Sequence, residues 1–107
     1  MKVRVKRMNL NSPRTVDEAV DRLIAELPLK DKAILANMTE EELDQPHFTI
    51  GNYIRNNFGL WTGNESLMES CRAVSENDDL HVDSASIIII EELWKKLRKT
   101  HKLRIVK

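Results

Sequence analysis

"SIIIIEELWKKLRK", residues 86–99, decides how the chain folds. Four consecutive isoleucines could form a strand buried on both faces, yet the run continues into a longer amphipathic pattern. Placed at about 100° per residue from Ile87, the apolar Ile87, Ile89, Ile90, Leu93, Trp94 and Leu97 fall between about 200° and 360°. Glu91, Glu92, Lys95, Lys96 and Lys99 take the remaining arc, with only Ile88 misplaced among them. The stretch therefore reads as a helix with its isoleucines inward, and Asp83 is its expected N-cap.

Upstream, the same logic gives further helices. Thr15 followed by Glu18 is a capping box, with Asp17 favourable to the dipole. Val16, Ala19, Val20, Leu23, Ile24 and Leu27 follow at helical spacing, and Pro28 stops the helix at or before Leu27. "LKDKAILANM" from Leu29 reads as a short second helix presenting Leu29, Ala33 and Ile34 or Leu35. Thr39 with Glu42 forms another capping box, and Pro46 suits the first position of a helix running to Phe58. A fifth segment, from Asn64 or Glu65, carries Leu67, Met68, Cys71 and Val74. At the ends, "KVRVK" (2–6) and "KLRIVK" (102–107) alternate as strands do.

The expected fold is all-α, a bundle of four or five helices in a single domain over 1–107. A basic N-terminal arm or short strand (1–13) and a basic tail (101–107) flank a helical body (15–100). A minor two-stranded pairing of the two arms is part of that expectation.

Length and composition agree with one globular domain: 107 residues, 41% hydrophobic and 32% charged. The longest apolar run is four residues, against roughly 20 for a membrane span, so no membrane is expected. The N-terminus lacks an apolar signal core, and Cys71 is the one cysteine, which points to a reducing cytoplasm. Zero net charge hides segregation. Residues 1–14 hold five bases and no acid, and residues 93–107 hold seven bases and no acid. The middle, 15–92, holds five bases and all 17 acids, a net charge of −12. Either the ends neutralise that body or they reach for an external anion.

"YIRNNFGLW", residues 53–61, is the densest polar and aromatic stretch. A helix ending at Phe58 makes Gly59 the left-handed C′ residue, with Leu60 turned back onto Ile54. His47 shares a helix face with Ile50, Ile54 and Phe58, where a core histidine is the ordinary reading. Arg55, Asn56 and Asn57 either complete the helix end or form a polar recognition patch beside Trp61. Arg55, Asn56, Asn57, Trp61 and His47 are the candidate binding residues.

"HFTIGNYIRNNFGLW" (47–61) followed by "DDLHVDSASIIIIEELWKKLR" (78–98) resembles a family of small uncharacterised bacterial domains of unknown function. The shared pattern is H-F-x-(I/L)-G-x-Y-I-R-N-N-F-G-L-W, then a histidine, an acidic cap and I-I-I-x-x-L-W-x-x-L. The likeness covers residues 15–98 and implies a common helical fold. It brings no activity with it, and the basic ends lie outside it.

Signs of chemistry are sparse. His47, His81, His101 and Cys71 show no zinc spacing, so no metal is expected. "DDLHVD" (78–83) lacks the oxygen spacing and closing glutamate of a calcium loop. There is no phosphate-cradling glycine loop, no G-x-S-x-G and no H-E-x-x-H, so no cofactor is expected. The leading expectation is a small cytoplasmic interaction or regulatory module without catalysis, its partner another protein or a second copy. Terminal strands adding edge to edge would make a homodimer. One alternative is a nucleic-acid-associated protein using its basic termini. The acidic body and the lack of interleaved aromatics argue against it. A second is a small enzyme with a His47/Cys71 site, which no local signature supports.

Overall fold

The last helix organises the molecule. A computed structural model describes residues 12–44 and 46–99, with side chains at 12–43 and 50–99. Five α-helices run through it: α1 (Val16–Glu26), α2 (Leu29–Ala36), α3 (Pro46–Asn57), α4 (Glu65–Ser75) and α5 (Val82–Leu97), with a 3-10 turn at Glu41–Asp44 before α3. α5 packs against each of the other four. It buries Ala85, Ser86, Ile89, Ile90, Leu93, Trp94 and Leu97. Full burial of one Leu or Ile is worth about 1.5–3 kcal/mol, so α5 supplies much of the apolar drive.

The all-α expectation holds for the described residues, which contain no strand. The pairing expected between residues 2–6 and 102–107 lies outside them. No described helix is long and apolar enough to cross a membrane.

Two details of α5 differ from the sequence reading. Its buried arc runs from about 160° (Ala85) to about 340° (Trp94) on the same wheel. Ile87, at the edge of the expected arc, is therefore 38% exposed. The face is set by what the four neighbouring helices cover, which takes in Ala85 at one edge and leaves Ile87 at the other. Asp83 is not the cap: the helix begins two residues earlier than that cap implies, with His81 at the N-cap and no side-chain bond there.

Upstream, Thr15 caps α1 as expected, but the return half of its box reaches one residue further back. The Glu18 N–H donates to Thr15 Oγ1 at 3.1 Å, while the Glu18 carboxylate accepts from the Arg14 N–H, one residue before the cap, at 2.8 Å. At the 3-10 turn the box is fully reciprocal. The Thr39 N–H donates to Glu42 Oε1 at 2.8 Å, and the Glu42 N–H to Thr39 Oγ1 at 3.4 Å. Leu43 of that turn is buried.

The shorter helices correct the apolar assignments. α2 buries Leu35 and Ala36, leaving Leu29 and Ile34 exposed. Lys32 is drawn to the end of α1, donating from Nζ to the Ile24 carbonyl at 2.9 Å. On α4, Leu67, Met68 and Cys71 face inward but Val74 is exposed. The Trp94 indole N–H donates to the Met38 carbonyl at 2.9 Å, tying α5 to the chain after α2.

Candidate functional site

The candidate residues cluster at the C-terminal end of α3, and the structure separates them by role. Arg55 points inward and is only 8% exposed. Its Nη1 donates to Ser86 Oγ of α5 at 2.9 Å and its Nη2 to Asn52 Oδ1 at 2.6 Å. Nε lies 3.6 Å from Asp83 Oδ1, whose side chain is largely exposed. The Ser86 hydroxyl itself donates to the Asp83 carbonyl at 2.7 Å. Arg55 is therefore a pin between α3 and α5 and not part of the outer surface expected for it. The cause is α5, which brings a small hydroxyl residue to face it.

Asn57 serves its own helix, donating from Nδ2 to the Tyr53 carbonyl at 3.0 Å. Asn56 is exposed. His47 lies in the first turn of α3, and its side chain is outside the described residues.

Beyond Asn57 the chain makes a tight turn over residues 58–63. Gly59 has φ +78° and Gly63 φ +96°, both in the region that favours glycine. The Phe58 N–H completes the helix by donating to the Ile54 carbonyl at 2.9 Å. Leu60 drops into the core beside the buried Phe58 and Ile54. Trp61, the next residue, is 60% exposed.

Asn64 holds this turn. Its Nδ2 donates to the Phe58 carbonyl at 2.7 Å and the Pro13 carbonyl at 2.8 Å. Its backbone N–H donates to the Gly59 carbonyl at 2.9 Å, and its Oδ1 accepts from the Leu67 N–H at 3.3 Å. One side chain thus joins the end of α3, the start of α4 and the segment before α1. Sequence reading identified Asn64 only as a helix start. An asparagine directly after a turn marked by two glycines, Gly59 and Gly63, was the available signal.

The other candidate groups are placed as follows. Cys71 is fully buried, and burial pushes its thiol up to about 11 from the ordinary 9.0, with Arg72 acting weakly the other way. Its Sγ faces the Ala85 carbonyl at 3.7 Å. A thiol held protonated in an apolar setting is a poor nucleophile. Among the described residues no group of three His, Cys, Asp or Glu side chains could hold a metal ion. On α5, Lys95 pairs with Glu92 at 3.2 Å and Lys96 with Asp21 of α1 at 2.7 Å. Arg98 lies over the Trp94 ring at 4.8 Å. Lys95 and Lys96 thus each meet one acid of the central segment, in exposed pairs of small energetic weight.

A family model, the domain of unknown function DUF6794, matches residues 12–97. The chain belongs to that family. No curated protein and no solved structure matches the chain. The DUF6794 match opens just before the cap of α1 and closes on the last residue of α5, so it takes in all five helices. The basic arms fall almost wholly outside the DUF6794 region.

Proposed function

We propose that this DUF6794 domain is a small cytoplasmic protein-binding module without catalysis, and that its contact is the turn carrying Trp61. The partner is another protein or a second copy of the chain. One observation carries the reading: a tryptophan stands mostly in water on a turn tied down by Asn64 from four directions. Exposing so large an apolar side chain adds nothing to the core. A rigid turn is what a binding site needs, since little freedom is then lost on docking. Tryptophan is enriched among the residues that dominate interface energies. Asn56 and Asn57 supply adaptable polar groups in the last turn of α3, and His47 remains a further candidate from its first turn.

The test is comparative capture. Immobilised protein and its Trp61→Ala variant are exposed to extract of the native host. A protein retained by the first and lost from the second, with the two equally stable to urea, supports the reading. Identical capture profiles, or a variant that no longer folds, would remove Trp61 from it.

A further inference from the structure

A second hollow lies away from the Trp61 turn in sequence, between the C-terminal end of α1 and the middle of α3. Leu23, Leu27, Ile50 and Tyr53 form its apolar floor and wall, and Glu26 and Asp31 are its polar lining. Leu27 is the C-cap of α1, its N–H bonded to the Leu23 carbonyl one turn back, and Ile50 and Tyr53 are one turn apart on α3, so the strip runs from the end of α1 along α3. The Tyr53 hydroxyl donates to Glu26 Oε1 across the hollow. Leu23 is fully buried, Leu27 and Ile50 are half-buried, and Tyr53 is partly exposed.

We propose that this groove docks a basic segment of another protein, seating an aliphatic side chain against Leu27, Ile50 and the Tyr53 ring and a Lys or Arg against Glu26 and Asp31. The volume, about 270 Å³, falls just under the ~300–1,000 Å³ of small-molecule sites and suits one or two side chains better. Both polar lining groups are acidic, which selects a cation beside the apolar anchor. The chain as a whole is neutral, so this selection is local to Glu26 and Asp31 and acts only within a screening length of the groove.

The experiment titrates the full chain into two labelled peptides, a short amphipathic one of leucine and lysine and a counterpart with glutamate for every lysine. The lysine peptide binds and the glutamate peptide does not. Its affinity falls between ~0.01 M and ~1 M salt, as the screening length shrinks from ~30 Å to ~3 Å. Ile50→Asp weakens binding about tenfold or more. Because Ile50 is half-buried, a second variant keeps the test decisive. Glu26→Lys with Asp31→Lys alters exposed side chains only and inverts the preference toward the glutamate peptide. Trp61→Ala leaves both affinities unchanged, which separates this groove from the function proposed above. Equal binding of the two peptides, or an unchanged preference in the charge-reversed variant, overturns the proposal. Binding of neither overturns it too, whether the groove is empty or held by the chain's own basic arm. Self-association that Ile50→Asp dissolves would assign the groove to a second copy instead, and that also overturns it.

Discussion

The guanidinium of Arg55 donates to the hydroxyl of Ser86 at 2.9 Å, and both side chains are buried. Among the described residues no acid shares their burial: Asp83, 3.6 Å from Nε, is 69% exposed. A buried cation held mainly by neutral acceptors depends on each of them. This explains why a charged residue and a serine occupy facing positions in an otherwise apolar α3–α5 interface.

Removing the acceptor should therefore hurt more than removing the charge. Ser86→Ala leaves the guanidinium short of a partner, which costs about 1.5–3 kcal/mol for a bond to a charged group. Arg55→Met substitutes an apolar chain of similar reach and should cost under about 1 kcal/mol, since Ser86 still donates to the Asp83 carbonyl. The double variant should cost less than the sum of the two. Urea denaturation measures all three, and an Arg55→Met loss larger than that of Ser86→Ala would show the ion to be a net source of stability.

The two glycines of the Trp61 turn are not equivalent. At Gly59 an added Cβ would meet Asn64 Cβ at 3.3 Å, whereas at Gly63 it would meet nothing within 4 Å. Each alanine carries the strain of positive φ, about 1–2 kcal/mol. Gly59→Ala adds displacement of an asparagine fixed by several hydrogen bonds, so it should be the costlier. Thermal melts that rank Gly63→Ala as equal or worse would contradict the view of Asn64 as the turn's anchor.

Local features were the most legible from residues alone. Thr15, Thr39, Pro46 and Gly59 act within a few positions of themselves, as does the capping half of Asn64, and each stands where its chemistry suggested. The period of α5 outweighed the strand-like isoleucines for the same reason. What stayed hidden depends on which neighbour arrives. Arg55 read as a helix-end charge because its partner Ser86 lies 31 residues on. Leu29, Val74 and Ile87 sit at the edges of their apolar arcs, where exposure is decided by the reach of other helices. Asp83 looked like a cap but stands in the first turn of α5, near Arg55.

The isoleucine run gives a direct check on that edge. Ile89 is fully buried on α5, so Ile89→Ala should lose about 2–5 kcal/mol through transfer and cavity. Ile87 is part-exposed, and Ile87→Ala, which also favours the helix slightly, should fall within about 0.5 kcal/mol of the parent. Comparable losses at the two positions would mean that the Ile87 face is covered in solution, by the terminal arms or by another molecule.

Alkaline pH supplies the last test. Tyr53 is raised to about 12 from 10.0, first through its hydrogen bond to Glu26 and then through burial. Cys71 is raised to about 11 from 9.0 by burial. Both groups are neutral when protonated, and folding favours that form. Their contributions are whole below the unfolded values and disappear as pH climbs through the folded ones. Stability should accordingly be level up to about pH 9 and fall between about pH 9 and about pH 12. Cys71→Ala should remove the first part of that slope and Tyr53→Phe the second, though Tyr53 is exposed enough for solvent to screen part of its share. Urea midpoints measured at about pH 8 and about pH 11 decide it. A midpoint that does not move, or a slope untouched by either substitution, would mean that neither group feels its folded surroundings in this way.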